Sequence, residues 1–183
     1  MASQHLAGRI SIRLLTIAAL TFAAGYGPPA NAGSLSERDV QILAKVIGFL
    51  EPPPSGAATI GIAYDPASAA SKRDAEEIAS YFGEGLKGGS AFLKPKLTTI
   101  GDLANGGFVA VIAAAGAKVE KIYSVTKSLH VACVTANTED VQVGQCLVAV
   151  KSAPKVEILI NRAAAASSGV GFGSAFLLMA HEI

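Results

Sequence analysis

Residues able to do chemistry are few and scattered. Two cysteines occur, Cys133 and Cys146, and three histidines, His5, His130 and His181. Neither type falls at metal-ligand spacing. There is no C-x-x-C, no H-E-x-x-H and no dense carboxylate cluster to hold a cation. A nucleophilic serine on an α/β sheet normally sits in a G-x-S-x-G turn, and none is present. His130 falls inside a predicted strand and reads as a structural histidine, whereas His181, close to the last residue, reads as solvated. No catalytic residue, metal or cofactor is therefore expected.

Glycine-rich turns are the other chemical possibility, because they cradle phosphates. Gly169-Val170-Gly171-Phe172-Gly173 has the wrong spacing for a dinucleotide loop and follows a helix instead of a first strand. The stretch from Gly83 to Gly89 lacks the Lys-Ser/Thr ending of a phosphate-binding loop. Both read as turns.

One turn keeps a binding chemistry. Tyr64-Asp65-Pro66-Ala67-Ser68 closes a predicted strand and opens a helix, the place where open α/β sheets hold ligands. Free amides there, with Ser68 or Ser71 donating, suit a small anion. Asp65 would repel that anion, and plain helix capping by Asp65 or Ser68 is the alternative use of the same residues. Asp65, Ser68 and Ser71 are thus the weakly marked ligand-binding set. Next to them, Lys72 and Arg73 stand four residues before Glu76 and Glu77, a spacing typical of a solvated helix face, with partner docking as the alternative.

The elements that must position these residues begin with an export signal. Arg9 and Arg13 precede an apolar run over residues 14–24, then Gly25, Gly27, Pro28 and Pro29, then Ala30-Asn31-Ala32. A basic flank, a short apolar core and an A-x-A site is the order a signal peptidase reads. The run is shorter than the roughly 20 residues needed to span a bilayer. Residues 1–32 are assigned as signal peptide, cleaved near Ala32, and residues 33–183 as one domain in the periplasm. Removing Arg9 and Arg13 from the 15 basic residues leaves 13 against 14 acidic ones. That balance lacks the basic footprint of a nucleic-acid binder. With 51% apolar and 16% charged residues the chain can build a core. An oxidising compartment favours a Cys133–Cys146 disulfide, two buried free thiols being the alternative.

Periodicity orders the rest. Ser36 caps a helix predicted over 37–50, with Val40, Leu43, Val46, Ile47 and Leu50 as its apolar stripe, and Pro52-Pro53-Pro54 ends it. Strands at 59–64, 91–98, 108–113 and 129–135 alternate with helices at 67–82 and 118–127. Such alternation predicts an α/β fold, a single domain with a mostly parallel sheet flanked by helices. Strands at 145–150 and 155–160, joined by four residues, predict a C-terminal antiparallel hairpin. An alanine-rich helix and a short apolar helix through Phe176, Leu177, Leu178 and Ala180 follow. That last helix suits an interface between copies in a homo-oligomer as well as the core.

The C-terminal third carries a resemblance. Gly144-Gln145-Cys146-Leu147-Val148-Ala149-Val150, then Lys155-Val156-Glu157-Ile158-Leu159-Ile160-Asn161, then Ala163-Ala164, Ser168-Gly169-Val170 and Ser174-Ala175-Phe176-Leu177-Leu178-Met179-Ala180 follow in an order that resembles the YfiR-like family of small exported bacterial proteins. The helix from Val40 to Leu50 with Glu51-Pro52 is similar to that family's opening. The chain departs from the pattern in having no Trp before the proline turn and in carrying Gly171 and Gly173. The resemblance implies a periplasmic regulator that binds and represses the periplasmic sensor region of an inner-membrane diguanylate cyclase, linking the envelope to cyclic-di-GMP signalling and biofilm. It also implies a structural, helix-capping Asn161. The alternative function is a periplasmic small-ligand binder related to one lobe of a transporter-associated binding protein.

Overall fold

Local sequence rules account for most element boundaries in the computed structural model, which describes residues 33–183. The proposed signal peptide lies outside the described residues. Ser36 opens helix α1 (Glu37–Ile47) through a reciprocal cap, its side chain accepting the Asp39 N–H while Asp39 Oδ2 accepts the Ser36 N–H at 2.8 Å. The helix stops at Gly48, three residues before the predicted end. A Cβ at Gly48 would meet the Gly89 backbone nitrogen at 2.5 Å, so only glycine lets these two turns touch. Leu50 leaves the predicted stripe to join a two-residue strand, β1 (Leu50–Glu51).

The chain then runs through β2 (Ser55–Tyr64), α2 (Ala69–Phe82), β3 (Leu86–Gly88), β4 (Ser90–Thr99), a 3-10 turn (Ile100–Asn105), β5 (Ala110–Ala113), α3 (Val119–Ser128) and β6 (Ala132–Thr135). It ends with α4 (Thr138–Gln142), β7 (Val148–Lys151), β8 (Glu157–Ile160), α5 (Arg162–Ser167), β9 (Gly171–Phe172), α6 (Ser174–Leu177) and β10 (His181–Glu182). Among the described residues the main sheet has eight strands in the order β10-β8-β7-β6-β5-β2-β4-β3, and β1 pairs with β9 apart from it.

The five strands from β7 to β4 are mutually parallel, as predicted for an α/β fold. Parallel strands covered on both faces read as unbroken apolar runs, and every residue of β5 and β6 is buried. The predicted hairpin is present: β7 and β8 run antiparallel, with Val148 opposite Ile160 and Lys151 opposite Glu157. Helices flank the sheet, α2 packing on β2 and β4, and α3 on β5 and β6. Between them lies one continuous apolar cluster centred on side chains such as Ile60, Ile62, Ile78, Phe82, Leu93 and Ile112.

Three expectations need correction. His130 is not in a strand: it follows α3 in a left-handed turn at φ 55°, its N–H bonded to the Lys127 carbonyl, and β6 starts only at Ala132. The stretch from Gly83 to Gly89 is not only a turn, because residues 86–88 pair antiparallel with β4 as the sheet's edge. The last apolar helix ends at Leu177, and of its run Phe176 alone is buried while Leu178 is 89% exposed.

Candidate functional site

Strand order creates the site. From central β2 the chain moves outward to β4 on one side and returns to β5 on the other, so the loops leaving β2 and β5 diverge over a crevice at the carboxyl ends of the strands. The turn singled out in the sequence, 64–68, forms one bank. Residues 114–118, between β5 and α3, form the other.

The first bank is largely occupied with its own backbone. Asp65 Oδ1 accepts the Ala67 N–H at 2.9 Å. Ser68 caps α2 by accepting the Ser71 N–H, and Ser71, fully buried, accepts the Asp65 N–H at 3.2 Å. The structure thus brings Asp65, Ser68 and Ser71 together, in the capping arrangement. Asp65 also reaches across the crevice, where Lys118 Nζ lies 3.4 Å from Oδ2. The Ala67 N–H, helped by Lys118 and Lys121, holds the Asp65 carboxyl below the usual carboxylate range.

The second bank is pinned from beneath by Asp74 of α2, only 5% exposed. Its Oδ2 accepts the Ala115 N–H at 2.7 Å, and its Oδ1 accepts the Ser34 hydroxyl. Beside this loop lies a hollow of about 190 Å³ lined by residues 113–117, Val119 and Gly33, and on its polar side by Thr135, Asn137 and Asp140. Thr135 Oγ1 donates to Asp140 Oδ2 at 3.2 Å, and Asn137 Nδ2 donates to Asp140 Oδ1 at 3.3 Å. Burial pushes the Asp140 carboxyl up, a shift the Thr135 hydroxyl partly opposes.

Such a set can orient a small polar ligand through an amide, a hydroxyl and a carboxylate. Its volume lies below the roughly 300–1,000 Å³ of pockets that enclose a drug-sized molecule. Thr135, Asn137 and Asp140 were not singled out from the sequence. Asn137 followed three residues later by Asp140 is a capping pattern that marks the start of α4, and it was the available signal.

Cys133 and Cys146 are joined, with Cα atoms 5.1 Å apart, and both are fully buried. The bridge accords with an oxidising compartment. Asn161 caps α5, accepting the Ala164 N–H at 2.8 Å and donating to the Val141 carbonyl at 2.9 Å. Lys72 and Glu76 pair at 3.7 Å with both side chains about half exposed. His181 is exposed in β10. No group of three or more metal-ligating side chains occurs among the described residues, and no helix there is long and apolar enough to cross a membrane.

No protein-family model matches the chain, and no curated protein matches it either. Solved structures do. The chain is similar to an ABC domain from Streptococcus pneumoniae determined in complex with L-Trp, at TM-score 0.53 and 17% identity over 79% of this chain and 60% of that one. It is similar also to a conserved domain protein from Vibrio cholerae, at TM-score 0.56 and 15% identity over 81% of this chain and 60% of that one. The chain therefore spans about 60% of the length of each. At these identities the likeness is one of fold: a mixed α/β domain with a mostly parallel central sheet.

Proposed function

We propose that this protein is an exported regulator that acts by contact, binding the periplasmic sensor region of an inner-membrane diguanylate cyclase and holding the cyclase inactive. The observation that carries this reading is the apolar surface at the C-terminal edge of the sheet. Leu178 is 89% exposed, Met179 64% and Ile183 44%, around a two-residue edge strand, β10. Neighbouring apolar side chains left in water commonly mark a contact surface. The resemblance of the C-terminal third to YfiR-like proteins supplies the class of partner. A periplasmic location is supported by the disulfide and by the residue order of the first 32 positions.

The test is genetic and biochemical. Deleting the gene in its native host should raise cyclic-di-GMP and biofilm, and tagged protein should retain a membrane cyclase during purification. Unchanged cyclic-di-GMP across several growth conditions would overturn the reading.

A second reading, a small-ligand binder, is favoured by the hollow beside the β5 loop. Thr135, Asn137 and Asp140 line it at the carboxyl ends of β5 and β6, the end of the strands where open α/β sheets hold ligands. The Streptococcus pneumoniae domain, similar in fold, was determined with L-Trp bound. A thermal-shift screen of amino acids and small anions tests it: stabilisation lost in Asn137→Ala supports this reading, and no shift from any of them counts against it.

A further inference from the structure

One end of the sheet carries charge of a single sign. Strands β2, β4 and β3 lie side by side there, and the only charged residues in them are Lys87, Lys94 and Lys96. Side chains alternate across a strand, so Phe92, Lys94 and Lys96 share one face of β4 while Ala91 and Leu93 share the other. Lys87 stands directly opposite Phe92 in the β3–β4 pair and joins the same face. Ala91 and Leu93 are buried on the face where α2 packs. Phe92 is 42% exposed, and all three lysines are exposed. The neighbouring strand adds only Ala57 and Thr59, opposite Phe92 and Lys94. Three ammoniums therefore stand along about 13 Å of open sheet with no carboxylate between them.

Two rings shape this face. Phe92 lies across the backbone of Gly85, where a Cβ would strike the ring, and Phe108 lies over Gly61, the residue paired with Lys96. Lys96 Nζ stands 5.8 Å from the Phe108 centroid, so that ring faces its ammonium. The ion pairs of the described residues involve Lys72, Lys118 and Arg162 and none of these three lysines. Lysines commonly guard an exposed sheet edge. Strand β4 is not an edge, because β2 and β3 pair with it on either side, so Lys94 and Lys96 have no edge to protect. The same pairing leaves β4 no free backbone for an added peptide strand, and a partner meets side chains alone.

We propose that this face docks the protein on an anionic phospholipid surface, with the three ammoniums against headgroup phosphates and the Phe92 ring at headgroup level. Basic side chains are drawn to such a surface, and aromatic rings settle at its interface. Lipid headgroups are mobile and so can meet ammoniums fixed at the spacing of a strand. The face lies at the opposite end of the sheet from β10 and Leu178, and the proposal does not depend on the regulator reading.

The experiment is co-sedimentation of the protein, expressed from its full sequence, with vesicles of equal parts phosphatidylglycerol and phosphatidylcholine, and with vesicles of phosphatidylcholine alone. The protein should sediment with the anionic vesicles only, and added salt should release it. Removing one lysine should lower the partition about fivefold, and Lys94→Glu/Lys96→Glu should lower it at least about tenfold. Lys94→Arg/Lys96→Arg, which keeps the charge, should sediment like the parent, and Phe92→Ser should sediment less. Thermal melts of the same variants separate lost binding from lost fold. Every variant shares the same N-terminal residues, so a difference between them reports this face. Equal sedimentation with both kinds of vesicle, none with the anionic ones, or undiminished sedimentation of a folded Lys94→Glu/Lys96→Glu would each overturn the proposal. Capture by immobilised polyglutamate in place of the vesicles would overturn it too, in favour of an acidic protein partner.

Discussion

The buried carboxylate of Asp74 accepts the backbone N–H of Ala115 across 41 residues of sequence, at 2.7 Å. It joins helix α2 to the loop that leaves β5, which lines the hollow. Asp74→Ala removes the acceptor and leaves a partly buried amide without a partner. The expected loss is about 2–3 kcal/mol, whereas Asp74→Asn, which keeps an oxygen, should lose about 1 kcal/mol. Urea unfolding of the two variants measures both values. Equal losses would show that the charge, and not the acceptor, carries the contact.

The Cys133–Cys146 bridge closes a segment of 13 residues in sequence separation. On the chain-entropy account a loop of this size is worth about 3 kcal/mol. Cys133→Ala/Cys146→Ala should therefore fold but unfold at lower denaturant, as should the parent protein in reducing buffer. A midpoint unmoved by reduction would contradict this.

Asp140 has a definite sign of pH dependence. Its folded pKa is raised above the unfolded value, chiefly by burial. The stability tied to its protonated form is thus fully present below the ordinary carboxylate pKa and is lost as pH rises through the higher folded value. Thermal melts of the parent and Asp140→Asn should move apart in the variant's favour as pH rises from about 3 to about 7. A difference constant over that range would rule the effect out.

Exposed Leu178 and Met179 offer a variant that separates surface from fold. Leu178→Ser/Met179→Ser removes apolar surface that packs against little of the core. Stability should stay within about 0.5 kcal/mol of the parent. Retention of the membrane partner should fall at least about tenfold, a loss of about 1.4 kcal/mol or more in binding. Pull-down beside denaturant unfolding reads both, and undiminished retention would place the contact elsewhere.

Burial on two faces is what made the fold legible. The runs containing Ile60 and Ile62, Val111 and Ile112, and Val134 are mostly apolar because the parallel strands are buried, and that pattern survives without knowledge of strand order. Helix α1 was legible for a different reason: Ser36 and Asp39 announce its cap and the stripe its inner face. Elements of two to five residues, such as β1, β9 and α4, have no room for a period. The site was half legible. Asp65, Ser68 and Ser71 could be placed at the end of a strand from local signals alone. Thr135, Asn137 and Asp140 could not, because they join the crevice only once β6 is known to lie beside β5. His130 was misplaced since apolar Leu129 and Val131 on either side of it imitate a strand.

The disulfide does more than brace the core. Thr135, Asn137 and Asp140, the polar wall of the crevice, all lie between Cys133 and Cys146, together with the whole of α4. That wall is a covalent ring anchored on β6. The three polar side chains therefore sit on one closed loop whose ends cannot separate while the bridge stands, and the Asp65 bank is tied separately to α2.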